Sequence, residues 1–202
     1  TDRFHPTQAL ADIMTLEENT KKPLSACKLV YMGDARNNVA NSLMVIAAKL
    51  GMQYTAISPA SLKPEAALFD EMQKLAETTG AKLQWSDQVK DVQGADAVYT
   101  DVWVSMGEEA LFEERIKLLT PYRVTEDVMR LTGNPGCIFL HCLPSFHDLE
   151  TTTGQEIHQK YGLTEMEVED RVFRSPNSKV FDEAENRLHT IKAVMVATIG
   201  RQ

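Results

Sequence analysis

The sequence has 202 residues, of which 43% are hydrophobic and 25% charged, and its formal net charge is −8. A chain of this length can bury roughly 70% of its unfolded surface, so it can hold a core without disulfides or metals. The acidic balance argues against a nucleic-acid surface, which would need clustered Lys and Arg. No apolar run reaches the roughly 20 residues that a membrane-spanning helix requires.

The three cysteines, Cys27, Cys137 and Cys142, are odd in number and their spacing fits no disulfide framework. We interpret them as thiols of a reducing compartment and therefore expect a cytoplasmic protein. An organellar transit peptide upstream of Thr1 is the alternative, since the sequence does not start with Met.

Short apolar strands alternate with amphipathic helices along the chain. Pro6 opens a first helix, because proline is tolerated at the first helical position. The predicted strands are 29–32, 54–58, 82–85, 97–104 and 138–143, with helices between them at 39–50, 64–79 and 108–119. Such alternation implies βαβ units. We therefore predict an α/β, Rossmann-like fold with about five mostly parallel strands and helices on both faces of the sheet.

A last helix is predicted to begin at Asp182, an N-cap residue with Glu185 as its capping-box partner three positions later. Apolar residues at helical spacing form its predicted buried stripe, which comprises Ala184, Leu188, Ile191, Met195 and either Thr198 or Ile199. The segment 146–177 is the least regular, and we expect surface loops and short helices there.

Ligands of an open parallel sheet gather at the carboxyl ends of its strands, and three of these ends carry unusual polar residues. After the first strand, the segment 33–38 ends in Asn37 and Asn38, which suit a carboxylate or phosphate at a helix N-terminus. A plain Asx turn with an N-cap is the alternative there. Asp101, in an otherwise apolar strand, suits a substrate ammonium group or a structural cap. Ser105 and Met106 precede a glycine, which is typical of a loop that moves over a ligand and equally of an inert turn.

Cys142 ends the fifth predicted strand. A cysteine there can act as a base or nucleophile where its surroundings permit the thiolate, although a lone cysteine is more often a small buried apolar residue. A zinc site built from Cys137, His141, Cys142 and His147 matches no structural template. We therefore expect no metal.

The two terminal helices carry further candidates. His5 and Gln8 lie at a helix start, where donors and the positive end of the helix would converge on an anion. Arg187 lies early in the last helix, where a cation opposes the helix dipole and requires a specific partner. Glu183, four residues before it, is the simplest candidate for that partner.

Together and in this order, these segments resemble the ornithine carbamoyltransferases, and the resemblance covers practically the whole chain. The Ser-Met-Gly loop and the cysteine of His-Cys-Leu-Pro are specific to that family, since the related aspartate carbamoyltransferases carry Pro in place of the cysteine. The matching strings are His5-Pro6-Thr7-Gln8, Gly33-Asp34-Ala35-Arg36-Asn37-Asn38, Asp101-Val102-Trp103-Val104-Ser105-Met106-Gly107, His141-Cys142-Leu143-Pro144 and Glu185-Asn186-Arg187-Leu188-His189-Thr190.

The resemblance implies transfer of the carbamoyl group of carbamoyl phosphate to the side-chain amine of L-ornithine, giving L-citrulline and phosphate without a cofactor. It implies that Cys142 accepts the proton of the attacking amine. Asp101 and Ser105 would hold the α-ammonium group of ornithine. Asn38 and the backbone N–H of Met106 would hold its α-carboxylate.

The resemblance also implies a carbamoyl-phosphate site made of His5, Pro6, Thr7, Gln8, Cys142, Leu143 and Arg187. In it, His5 and Arg187 donate to the carbamoyl oxygen, where negative charge grows. The carbonyls of Cys142 and Leu143, helped by Gln8, accept from the carbamoyl NH₂. By analogy with the family, the Leu143–Pro144 bond is expected to be cis.

The Ser-x-Arg-Thr phosphate loop of the family does not occur in this sequence. We therefore expect an ornithine-binding half whose carbamoyl-phosphate domain is missing, with little turnover of its own. On this interpretation 1–20 is a linker helix, 21–182 is the ornithine-binding domain and 183–202 is a C-terminal helix that packs on the missing domain. The parent would be a homotrimer or larger, and the fragment monomeric. Both terminal helices would expose apolar surface.

Three other functions remain as alternatives. A carbamoyltransferase for putrescine or an acetylated amino acid is disfavoured, because Asp101, Ser105 and Asn38 suit free α-amino and α-carboxylate groups. A Rossmann-type oxidoreductase lacks its glycine fingerprint and acidic ribose ligand. A non-catalytic amino-acid-binding domain is the third. The sequence leaves a role in arginine synthesis and one in arginine breakdown equally open.

Overall fold

Five parallel strands form one sheet in the computed structural model, which describes residues 1–104 and 111–200. The strand order is β3-β2-β1-β4-β5, and Leu29 of β1 pairs with Tyr54 on one side and Ala97 on the other. The order reverses between β1 and β4, which creates the crevice where ligands of such sheets bind. The bounds are β1 Lys28–Met32, β2 Gln53–Ile57, β3 Lys82–Ser86, β4 Ala97–Thr100 and β5 Ile138–Leu140.

Helices connect and flank these strands. They are α1 Pro6–Asn19, α2 Asn38–Leu50, α3 Ala66–Thr79, α4 Phe112–Leu119, α5 Glu126–Leu131, α6 Thr152–Tyr161, α7 Asp170–Phe173 and α8 Val180–Ile199. Short 3-10 helices lie at Leu24–Ala26, Ala60–Leu62, Val89–Val92 and Thr120–Tyr122. In the described ranges, no helix combines the length and apolar character needed to span a membrane.

The core lies on both faces of the sheet, because alternate residues of each strand point to opposite sides. Leu29 and Tyr31 of β1 pack in the cluster that includes residues of α1, α2 and α3. Val30 and Met32 pack in a second cluster with residues of α5 and α7, among them Val128. The predicted α/β fold, with helices on both faces of a parallel sheet, is confirmed.

Two strands are shorter than the sequence pattern predicts. We predicted 97–104 and 138–143 as strands, but β4 ends at Thr100 and β5 at Leu140. Asp101 turns its Oδ1 to the N–H of Val102 at 2.8 Å, which favours a turn over continued pairing. The backbone N–H of His141 donates to Oε2 of Glu183 at 2.9 Å instead of to a neighbouring strand. The polar residues therefore follow the strands.

The predicted start and buried stripe of the last helix are wrong. Helix α8 begins at Val180, two residues before Asp182, and no described side chain caps it. Its buried residues are Val180, Glu183 and Asn186, whereas Leu188, Met195 and Ile199 are more than half exposed. The reason is that α8 turns polar groups towards α1, with the Asn186 amide donating to Thr15 and Glu18. The expectation of exposed apolar surface on this helix is confirmed.

Candidate active site

The three polar strand ends predicted from the sequence meet at the crevice between β1 and β4. Asp101 lies at the centre and is only 8% exposed. Its Oδ2 accepts from Asn37 Nδ2 at 2.8 Å, and its Oδ1 accepts from Cys142 Sγ at 3.2 Å. One chain of hydrogen bonds therefore joins the ends of β1, β4 and β5.

Asn37 makes the contact with Asp101, and Asn38, which was predicted to bind the α-carboxylate, is the next residue along the chain. Asn37 is the N-cap of α2, and its Oδ1 accepts from the N–H of Ala40 at 2.8 Å. This cap fixes the amide so that Nδ2 faces Asp101. The half-exposed Asn38 donates instead to the carbonyl of Thr1 at 2.8 Å. Asn37 therefore does both things considered for this segment: it caps the helix, and it contacts the site.

A buried ion pair supports the turn that presents Asn37. Asp34 Oδ2 lies 2.5 Å from Nη1 of Arg115 in α4, and both side chains are nearly buried. Asp34 Oδ1 also accepts from the backbone N–H of Arg36, while its carbonyl accepts from the N–H of Asn37. Sequence reasoning missed Arg115, since 81 residues separate it from Asp34 and neither position signals the other.

Burial and the neighbouring Asp101 carboxylate together raise the pKa of the Cys142 thiol far above its ordinary value. Both effects disfavour a thiolate. The thiol is therefore protonated in this state of the protein and donates to Asp101. A cation placed beside both groups would favour the thiolate again, so the arrangement is suited to respond to a bound amine.

His141 organises the turn that follows β5. Its Nδ1 accepts from the N–H of Leu143 at 2.9 Å, and its Nε2 faces Oε1 of Glu167 at 3.3 Å. Burial, the largest single effect, would lower the pKa of His141, but the hydrogen bond to Glu167 and the charges of Glu167, Asp101 and Glu183 together outweigh it and raise the pKa. Burial would raise the pKa of Glu167, but the hydrogen bond to His141 and the charge of that residue help to lower it below its ordinary value. The Leu143–Pro144 bond is cis, as expected, and Leu143 has a φ of 54°.

Ligand atoms of Asp101, His141 and Cys142 lie within 4.8 Å of one another. Because Leu143 occupies Nδ1 of His141 and Glu167 faces its Nε2, the ring offers neither nitrogen to a metal within the described structure. Cys137 lies before β5, at the opposite end of that strand, and burial raises the pKa of its thiol to about 12. The four residues weighed as zinc ligands are therefore not assembled around one point.

The terminal helices supply a second group of polar side chains. His5 precedes α1, and its backbone N–H donates to Ser42 Oγ at 2.7 Å. Burial and then the nearby Arg187 guanidinium lower the pKa of His5, which is therefore neutral at pH 7. Pro6 is the first residue of α1 and is exposed, and Thr7 follows it half-buried.

Arg187 has a specific partner, but it is not the predicted Glu183. Its Nη1 donates to Gln8 Oε1 at 3.0 Å. Glu183 points inward and accepts from Gln8 Nε2 at 2.8 Å and from the hydroxyl of Tyr99 at 3.1 Å. The predicted site residues Ser105 and Met106 lie outside the residues that the structure describes.

The chain forms a parallel α/β domain with Asp101 and Cys142 where the strand order reverses, and its sequence matches a protein-family model. Residues 25–198 match the model described as "Aspartate/ornithine carbamoyltransferase, Asp/Orn binding domain". The chain therefore belongs to the aspartate/ornithine carbamoyltransferase family and corresponds to its amino-acid-binding domain. The resemblance drawn from the motifs is confirmed.

Individual relatives narrow the similarity to the ornithine branch. The chain is 57% identical over 203 residues to the catabolic ornithine carbamoyltransferase of Clostridium perfringens, covering 100% of this chain and 61% of that protein. It is 58% identical to the catabolic enzyme of Bacillus licheniformis, with 99% and 60% coverage. The ornithine carbamoyltransferase structure from Pyrococcus furiosus superposes with a TM-score of 0.85 at 40% identity, over 100% of this chain and 58% of that one. The chain thus spans about three fifths of its relatives.

Proposed function

We propose that this chain is the ornithine-binding part of an ornithine carbamoyltransferase. The enzyme would transfer the carbamoyl group of carbamoyl phosphate to the side-chain amine of L-ornithine, giving L-citrulline and phosphate. The amine nitrogen forms a bond to the carbamoyl carbon, and the bond from that carbon to the phosphate oxygen breaks. The observation that carries the proposal is the contact of Asp101 with both Asn37 and Cys142 at one edge of the sheet.

In this proposal Asp101 holds the α-ammonium group of ornithine. A nearly buried carboxylate is costly unless it is paired, and the hydrogen-bond partners of Asp101 are all neutral: an amide, a thiol and the backbone N–H of Val102. An ammonium group would add the missing positive charge. Ser105 would assist Asp101, and Asn38 with the N–H of Met106 would bind the α-carboxylate, as the family resemblance implies.

Cys142 is proposed as the proton acceptor. An alkylamine has a pKa of about 10.4 and must lose its proton before it can attack. The two ammonium groups of bound ornithine would offset the burial and the Asp101 charge that keep the thiol protonated. The thiol proton would then pass to solvent as ornithine binds, and the thiolate would take the proton that the amine releases.

The carbamoyl group is proposed to bind between the terminal helices and the turn after β5. His5 is neutral and has an N–H to donate, and Arg187 carries a fixed positive charge, so both can stabilise a developing oxyanion. The carbonyls of Cys142 and Leu143 and the Oε1 atom of Gln8 would accept from the carbamoyl NH₂. Pro6 and Thr7 complete this segment. The phosphate would be held by the carbamoyl-phosphate domain of the parent protein.

The division of the chain belongs to the same proposal. Residues 1–20 form the linker helix, 21–182 the ornithine-binding domain, and 183–202 the helix that packs on the carbamoyl-phosphate domain. The exposed Leu188, Met195 and Ile199 of α8 support such a contact. The parent would be a cytoplasmic homotrimer or larger assembly that requires no cofactor, whereas the isolated chain would be monomeric with little turnover.

A citrulline assay tests the proposal in two arms. The full-length protein should convert L-ornithine and carbamoyl phosphate to citrulline and leave putrescine and N-acetylated ornithine unreacted. The chain 1–202 alone should produce almost no citrulline at equal molar concentration. A preference for putrescine or the acetylated substrate would refute the substrate assignment, and near-normal turnover by the chain alone would refute the division of labour.

A further inference from the structure

Two buried carboxyl groups meet beneath Gln8. Asp12 of α1 is 1% exposed and Glu183 of α8 is 0% exposed. Gln8 Nε2 donates to Asp12 Oδ1 and to Glu183 Oε1, each at 2.8 Å. An amide nitrogen carries two hydrogens, so the two carboxyl groups use both of them.

This arrangement permits only one orientation of the Gln8 amide. If the amide turned over, its oxygen would face two carboxyl oxygens and its NH₂ would face the Arg187 guanidinium, leaving acceptor against acceptor and donor against donor. In the observed orientation Oε1 faces Arg187 Nη1 at 3.0 Å, on the side where the carbamoyl group is proposed to bind.

We propose that Asp12 and Glu183 are positioning residues that hold the carbonyl of Gln8 towards the carbamoyl group. They do not touch the substrate, and they act through Gln8. This inference rests on the proposed function, because it gives Gln8 Oε1 the task of accepting a hydrogen bond from the carbamoyl NH₂. An amide held in advance would bind that group without first having to be ordered.

The donors around the pair indicate where its proton lies. Glu183 also accepts from the hydroxyl of Tyr99 at 3.1 Å and from the N–H of His141 at 2.9 Å, so its negative charge is well supplied with donors. No donor in the described part of the chain reaches Oδ2 of Asp12. Burial, and then the Glu183 charge, raise the pKa of Asp12 well above its ordinary value. The proton of the pair is therefore assigned to Asp12, whose carboxyl group is hydrogen-bonded to Glu183.

The two residues differ in what else they hold. Within the described residues, the hydrogen bonds of the Asp12 side chain stay inside the Gln8–Glu183 group, whereas Glu183 also accepts from the backbone N–H of His141, next to Cys142. Substitution of Asp12 therefore tests the orientation of Gln8 with less disturbance of the thiol.

The experiment uses the full-length protein that contains this chain, assayed with saturating L-ornithine. Asp12→Leu removes the acceptor and the proton, and should raise KM for carbamoyl phosphate by about tenfold or more, with a fall in kcat. Asp12→Asn keeps an oxygen for Gln8 Nε2 and an N–H for Glu183, so it should bring KM back to within about threefold of wild type. Asn186→Leu, one turn along α8, is the matched control: it removes contacts to α1 without touching Gln8.

A double-mutant cycle decides whether Asp12 acts through Gln8. In a Gln8→Ala background, Asp12→Leu should change KM for carbamoyl phosphate by less than about twofold, because the amide that it orients is gone. Equal effects of Asp12→Leu in the two backgrounds would overturn the inference, as would Asp12→Asn behaving like Asp12→Leu. If the wild-type protein makes no citrulline at all, the proposed function falls and this inference falls with it.

Discussion

Replacement of Asp101 by Asn tests the centre of the site. Asp101 accepts from Val102 N and Cys142 Sγ on Oδ1 and from Asn37 Nδ2 on Oδ2. In the variant, the amide oxygen would take the position of Oδ1, which accepts from two donors. The new NH₂ group would then take the position of Oδ2 and face the NH₂ group of Asn37. Asn37 has no alternative orientation, because its own oxygen caps α2 at Ala40. One buried donor is left unpaired, which costs about 1–3 kcal/mol of folding free energy.

The effect on ornithine should exceed the effect on folding. Removal of one partner of a buried charge pair costs about 2–5 kcal/mol of binding free energy, so KM for ornithine should rise by at least about 30-fold. The assay is citrulline production by the full-length protein at saturating carbamoyl phosphate, with urea unfolding measured in parallel.

Asp96→Asn provides the matched control. Asp96 directly precedes the first residue of β4, at the end of the strand opposite to Asp101, and it is 6% exposed. It accepts from Lys22 Nζ at 2.6 Å and from the N–H of Lys28 at 2.9 Å. The Asp96→Asn variant should be less stable than the wild-type protein but should have the same KM for ornithine. An unchanged KM in Asp101→Asn, or an equal rise in Asp96→Asn, would refute the assignment of Asp101 to the ammonium group.

Three further predictions follow from other parts of the structure. Cys142→Ser should lower kcat by about 10²–10⁴, since serine is a much weaker proton acceptor, while Cys137→Ala at the other end of β5 should keep kcat in the citrulline assay. Glu167→Gln should destabilise the protein most between pH 4.5 and 6.5, where Glu167 is ionised and His141 is protonated. The pKa of Glu167 is lowered in the folded protein, so its contribution to stability is lost as the pH falls and the carboxylate is protonated. The pKa of His141 is raised, so its contribution is lost as the pH rises and the imidazole is deprotonated. Urea titrations across that range measure the difference, and a pH-independent difference would contradict it. Leu188→Lys, at a side chain 59% exposed, should change the stability of chain 1–202 by less than about 0.5 kcal/mol and should raise KM for carbamoyl phosphate in the full-length protein.

The sheet could be predicted from the sequence because β1, β2, β4 and β5 are buried on both faces and read as short apolar runs between glycines and helices. The ends of β4 and β5 could not. Most residues after Thr100 and Leu140 are apolar enough to continue a strand. The turn at Asp101 ends β4, and a partner found only in three dimensions ends β5. For β5 that partner is Glu183, 42 residues from His141 along the chain.

The site was predictable where one residue type signals its own chemistry, as Asp101 and Cys142 do at strand ends. The buried charged residues that support other parts of the site were not predictable. Asp12, Arg115 and Glu167 read as ordinary charged residues of a helix or a loop, and nothing in the sequence marks them as buried. Their partners lie on other elements, and pairing across such separations follows from the assembled fold alone. Glu183 was assigned to Arg187 by helix spacing, and the inward turn of its side chain overrode that local choice.

The pairing of α1 with α8 has a consequence for how the molecule is made. Gln8 and Glu183 are separated by 175 positions, and their contact joins α1 to α8. Contacts of such high sequence separation close large loops and form late. A nascent polypeptide on the ribosome can assemble the strands early, yet the Gln8 amide stays unoriented until α8 emerges. The orientation of this side chain therefore depends on a segment that is made well after the sheet.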